Sequence, residues 1–198
     1  MNALLEPWDG AFGLPPFAAI KDEDFAPAFD QGLAEARAAI AAIADGPGTS
    51  FTEVIEALEL AEATLDRVGG VFWNLAGADS TEAREALQRE LAPKLSAFSS
   101  EIANNKALWA KIEALWQTRE GLGLTAEQMR VLTLYRQMFV RAGAELEGKK
   151  AERLTAVKSR LAVLGTQFSQ NLLADERVWV MELSEADLGA LPGFVQDA

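Results

Sequence analysis

Apolar side chains recur every three to four residues over most of this chain, the spacing at which side chains share one face of an α-helix. From Lys21, "KDEDFAPAFDQGLAEARAAIAAIADG" opens with carboxylates, which suit the positive end of a helix dipole. Phe25, Phe29, Leu33, Ala36, Ile40 and Ile43 then follow the helical period. Pro27 is placed in the first turn, where proline is tolerated, and "GPGT" ends the helix. Phe51, Ile55, Leu58, Leu65, Val68 and Phe72 form the stripe of a second helix, with Ser50 or Thr52 as its expected cap. Gly69 and Gly70 interrupt that stripe at about 1 kcal/mol each against alanine, which predicts close approach of another helix or a bend. Asp79 and Glu82 make a capping-box-like pair at the head of the next helix, and Pro93 is expected to kink or split it. Leu108, Trp109, Ile112, Leu115 and Trp116 share a broad face that Gly121 and Gly123 terminate. Thr125 and Gln128 form another capping box, ahead of Leu132, Tyr135, Met138 and Phe139.

A long helix is predicted from about Gly148 to Leu173. Its Leu154, Val157, Leu161, Leu164, Phe168 and Leu172 form a coiled-coil-like seam that should be core against other helices. The period changes at "RVWVMEL", Arg177 to Leu183, which reads as a short strand. A lone strand needs a partner, and none is evident within the chain, so the partner is expected beyond Ala198. Ser184 and Asp187 begin a short helical turn, and Phe194 and Val195 look like the start of an apolar face that the end of the chain cuts off. At the other end, Pro7, Pro15 and Pro16 forbid a regular helix, while the leucines and aromatic residues around them favour packing. The expected fold is mostly all-α: an antiparallel multi-helix bundle with long helices and one short strand. Residues 1–20 form an extended arm, 21–176 a helical domain, and 177–198 the strand and the start of a following segment.

With 198 residues, nearly half of them hydrophobic, the chain can bury a substantial core. Its net charge of -12 repels phosphate backbones and argues against nucleic-acid binding. No apolar run is long enough to span a membrane, and "MNALLEPWDG" has neither the basic nor the apolar region of a secretory signal. A cytoplasmic location is expected. There is no cysteine and no histidine. Disulfides, thiolate nucleophiles and histidine-assisted serine chemistry are therefore excluded for this chain alone. A zinc site would have to be built from carboxylates only, which is atypical. Paired carboxylates could still carry out acid–base chemistry, yet each Asp and Glu reads more simply as a helix cap or part of a solvated face.

Six blocks in order carry a resemblance: "LLEPWDGAFGLPPFAAIKDEDFAPAFDQGL", "SFTEVIEALE", "VFWNLAGADST", "LAPKLSAFSSEI", "FVRAGAEL" and "RLAVLGTQFSQNLLADE". Together they resemble the N-terminal helical part of the M3 (neurolysin-like) family of zinc oligopeptidases, in its peptidyl-dipeptidase and oligopeptidase A branch. The family more often has an Asn-Thr pair where Glu53 and Val54 stand, a departure at a helix start rather than in the chemistry. Family members are several times longer, and their His-Glu-x-x-His helix and a further glutamate lie in the C-terminal half. Two histidines four apart grip one zinc, and the intervening glutamate takes a proton from the metal-bound water. The resemblance thus implies a hydrolase, a metalloprotease acting on short peptides, whose zinc ligands are absent from this chain. It implies that this chain is one wall of a substrate channel, inactive alone, with the C-terminal catalytic domain of the same polypeptide as its partner. A truncated wall would expose apolar surface, so the isolated chain is expected to self-associate.

No catalytic or metal-binding residue is assigned in this chain, and its substrate-binding residues stay open. Gln167, Gln170 and Asn171 fall largely opposite the seam and read first as a solvated face, second as a channel surface that hydrogen-bonds peptide backbones. Trp73 and Asn74 read first as core and cap, second as channel lining. The alternative to the peptidase reading is a stand-alone helical binding or scaffold module. The sequence leaves open the peptide specificity and the choice between dipeptide release and internal cleavage.

Overall fold

The computed structural model describes residues 2–182, 184–189 and 191–196. It divides into two compact units, Met1–Glu145 and Leu146–Ala198.

In the first unit, α1 (Asp22–Asp45) is the central element. It packs against α2 (Ala57–Ala61), α3 (Ala63–Ala78), α4 (Glu82–Ala103) and α5 (Lys106–Thr118). α6 (Ala126–Ala142) lies on α5 and α4. Most of the predicted stripes are core: Phe25, Phe29, Leu33, Ala36 and Ile40 of α1 are buried with Val68 and Phe72 of α3, and Leu108 and Ile112 of α5 with Leu132 and Phe139 of α6, while Met138 of the predicted α6 face is exposed. Burial of each large apolar side chain contributes about 1.5–3 kcal/mol. Gly32 marks the closest approach of α1 to α3, since a Cβ on it would stand 3.1 Å from the backbone N and Cα of Leu65. The close contact is therefore at Gly32, not at Gly69 and Gly70, where a Cβ on Gly70 would meet nothing within 4 Å.

Local chemistry sets the helix ends. The Thr125–Gln128 capping box forms as expected, with Thr125 Oγ1 accepting from Gln128 N at 3.2 Å and Gln128 Oε1 accepting from Thr125 N at 3.0 Å. Gly143 closes α6 in the left-handed conformation that glycine adopts freely. Ser50, rather than Thr52, pairs with Glu53, its hydroxyl donating to Oε2 at 2.7 Å. Thr81, not Asp79, caps α4 through Arg84 N. Asp79 instead joins Asp22 in holding the Arg84 guanidinium, which ties the start of α1 to the start of α4. Pro93 lies inside α4 without dividing it. Pro27 is the sixth residue of α1, not in its first turn, and points to solvent, where the missing N–H costs least.

The expected single helix after Ser50 is broken in two ways. Thr52–Glu56 form a π-helical turn, and Glu62, at φ -101° and ψ 9°, separates α2 from α3. The N-terminal arm is tied down by Leu4, which is fully buried, and by Asn2, whose amide donates to Asp24 O at 2.7 Å. It contains short 3-10 turns at Ala11–Gly13 and Phe17–Ala19.

The second unit contains α7 (Lys149–Val178), α8 (Glu185–Gly189) and α9 (Gly193–Gln196). Its seam is not core: Leu154 and Val157 are half-buried, and Leu161, Leu164, Phe168 and Leu172 are exposed. The strand expected at Arg177–Leu183 is also not formed. α7 runs on through Val178, Trp179 N closes it on Asp175 O at 3.0 Å, and Trp179–Glu182 have no regular structure. Leu183 lies outside the described residues. A strand leaves its backbone groups open without a neighbour, and no other strand exists among the described residues, whereas a continued helix satisfies those groups internally. Ser184 and Asp187 cap α8 reciprocally, as predicted. No helix among the described residues is long and apolar enough to cross a membrane.

Candidate functional site

Glu62 lines a recess on the first unit. It lies between α1, α2, α4 and α6 and measures about 330 Å³. Its walls are mostly apolar: Ile40, Leu58, Ile102, Leu134 and Met138. Leu134 and Met138 are 46% and 41% exposed at its edge. Its polar groups are Glu62, Ser99 and Tyr135. Burial, together with a hydrogen bond to Glu59, holds the Tyr135 phenol above its ordinary pKa, so it stays a neutral donor.

A second recess of about 250 Å³ shares Glu62 and runs along α3 past Asp66, Gly69, Gly70 and Trp73. Trp73 is 42% exposed; its ring stands edge-on to Phe72 at 4.9 Å and leaves surface free to solvent. Trp73 is therefore not core. Asn74 is exposed inside α3 and caps nothing. Gln167, Gln170 and Asn171 are exposed on α7. None of these three belongs to the recesses of the first unit.

Two carboxylates, Glu62 and Asp66, border the second recess. Among the described residues, no Lys or Arg makes an ion pair with Glu62 or Asp66. Some carboxylates elsewhere in the unit are matched, Asp22 by Arg84, Asp30 by Lys94, Glu101 by Arg37 and Glu113 by Arg136, and others, such as Glu82 and Glu127, make no ion pair either. Burial raises the Glu62 pKa, and the charge of Asp66 raises it further. A carboxylate whose folded pKa exceeds its unfolded value destabilises the fold once it ionises, and the penalty disappears as pH falls below both values. Glu62→Gln is therefore expected to stabilise the chain at neutral pH, with the like-charge i,i+4 repulsion accounting for about 0.2–0.5 kcal/mol. Thermal melts at pH 7 and pH 3.5 test this, and an equal gain at both would refute the electrostatic origin.

Sequence reasoning missed Glu62 and Tyr135 as members of one site. A signal was present: Glu53, Glu56, Glu59, Glu62 and Asp66 recur at helical spacing with no Lys or Arg among them. A metal ion does not fit the residues present. The sequence has no histidine or cysteine, and no group of three or more Asp or Glu among the described residues is placed to hold one.

These features define an all-helical domain with apolar recesses bordered by unpaired carboxylates. No family model matches the chain. It is 36% identical over 186 residues to a dipeptidyl carboxypeptidase of Salmonella typhimurium, covering 93% of this chain and 27% of that protein. It is 37% identical over 175 residues to the dipeptidyl carboxypeptidase of Escherichia coli K12, covering 88% and 26%. It is 30% identical over 185 residues to an oligopeptidase A of Salmonella typhimurium, covering 92% and 27%. The chain spans about a quarter of the length of the curated relatives it matches. It is homologous to the N-terminal part of these M3-family peptidases.

Proposed function

We propose that this chain is the N-terminal wall of the substrate channel of a zinc-dependent oligopeptidase or peptidyl-dipeptidase acting on short peptides in the cytoplasm. The observation that carries this reading is the similarity along almost the whole chain to peptidases about four times as long. The missing donor set supports placing zinc and the peptide-bond chemistry in a C-terminal catalytic domain of the same polypeptide. What this part supplies is shape: helices that border the path of the peptide, not groups that break it. The exposed apolar seam of α7 supports self-association of the isolated chain.

A second reading is favoured by the recess at Glu62. A stand-alone helical module could bind a ligand there without any catalytic partner. One pair of measurements separates the two. The coding sequence past codon 198 is expected to continue into a frame that encodes His-Glu-x-x-His, and the isolated chain is expected to release no product from short peptides, with or without added zinc. A stop codon directly after Ala198 would overturn the peptidase reading. Zinc-dependent turnover by the isolated chain would overturn the division of labour.

A further inference from the structure

We infer that the two recesses of the first unit that share Glu62 dock a peptide segment that pairs an apolar side chain with a neighbouring lysine or arginine. The inference rests on this unit alone and holds whichever reading of the whole protein is right. The larger recess, about 330 Å³, is walled by Ile40, Ile102 and Met138 and is at the small end of ligand pockets, which run from about 300 Å³ upward. It suits an apolar side chain. Glu62 stands on the rim shared with the second recess, and Asp66 follows one turn along α3. These two carboxylates lack the cationic partners found at the α1–α4 and α5–α6 contacts.

The second recess complements them. Gly69 and Gly70 line it without side chains, and Trp73 adds a partly exposed aromatic surface. A guanidinium or ammonium placed there gains an ion pair and a cation–π contact together, the latter about 0.5–1 kcal/mol at exposed sites and more when desolvated. It also relieves the repulsion between Glu62 and Asp66. An acidic segment would be repelled. A purely apolar one would leave the carboxylates against an uncharged occupant, and a purely hydrophilic cation would leave the apolar recess wet.

The test is fluorescence anisotropy of the 198-residue chain with dye-labelled octapeptides. The probe alternates leucine and lysine; leucine–glutamate and serine–lysine octapeptides are the matched comparisons. Only the leucine–lysine peptide is expected to bind well, with the other two weaker by about tenfold or more. The double variant Glu62→Gln/Asp66→Asn and the double variant Leu134→Ser/Met138→Ser should each weaken binding by about tenfold. The control Glu6→Gln/Glu23→Gln removes the same charge from exposed positions elsewhere and should leave binding unchanged. Melts of every variant separate loss of binding from unfolding, and Glu62→Gln is expected to raise the melting temperature. An equal loss in the control would mean diffuse attraction to an acidic chain, and overturns the site. Failure of all peptides to bind overturns it as well. Self-association that disappears in Leu134→Ser/Met138→Ser, with no peptide bound, would assign the recess to a second copy of the chain and overturn the proposal.

Discussion

Phe72→Ala is expected to destabilise the first unit by about 3–5 kcal/mol, a large share of the 5–15 kcal/mol typical of a whole domain. Phe72 is fully buried on α3. Its ring meets Phe25 edge-on at 5.1 Å and 61°, Phe29 at 5.4 Å and 87°, and Trp73 at 4.9 Å and 70°. Such aromatic pairs add about 0.5–1.5 kcal/mol beyond the area they bury. Truncation removes these contacts and leaves a cavity that α1 and α3 cannot close, because Gly32 already holds their backbones in contact near Leu65. Urea unfolding followed by circular dichroism measures the loss. Phe72→Leu, closer in volume, should lose less than about 1.5 kcal/mol. A Phe72→Ala midpoint within experimental error of the parent would show that this aromatic cluster does not anchor the core. Tryptophan emission should also shift red in the variant, since Trp73 loses the neighbouring ring that it meets at 4.9 Å.

The helical core was readable because it is written in local periodicity. Phe25, Phe29, Leu33, Ala36 and Ile40 are spaced for one helix face and all five are buried. The Thr125–Gln128 cap is likewise a local signal, with both reciprocal bonds present. The breaks were not readable. "TEVIEALELAEATLDRV" favours helix throughout, so nothing in its composition marks a π turn at Thr52–Glu56 or an irregular residue at Glu62. The strand failed for a related reason: Val178, Trp179 and Val180 have high strand propensity, but propensity takes effect only against a neighbouring strand. The α7 seam was legible as a stripe, while its burial depended on a partner that periodicity does not name. The recess itself joins Ile40, Glu62, Ser99 and Tyr135, residues far apart in sequence that only tertiary packing brings together. Its one local trace was the carboxylate row from Glu53 to Asp66 with no Lys or Arg inside it, which read as a solvated face.

Gly32→Val should be the second most damaging single change, at about 1–3 kcal/mol from overpacking. Two effects compete at this position. Any residue with a Cβ removes the intrinsic helix penalty of glycine, about 1 kcal/mol against alanine. Against that, the new Cβ would stand 3.1 Å from both the N and the Cα of Leu65, which are backbone atoms and cannot rotate away. Alanine sets these effects nearly equal. Valine adds two methyl groups at a β-branched position and must push α3 off α1. Gly70→Ala isolates the first effect: it lies on α3 with nothing within 4 Å of the new Cβ, so it should gain up to about 1 kcal/mol. The pair of denaturation curves should therefore move in opposite directions. The displacement also reaches the second recess, because Leu65 lies on α3 between Glu62, which precedes that helix, and Trp73, and all three line the recess. Gly32→Val is accordingly expected to weaken binding of the leucine–lysine peptide even under conditions where the chain remains folded. A stable Gly32→Val variant with unchanged binding would mean that the α1–α3 contact is not what sets the width of the recess.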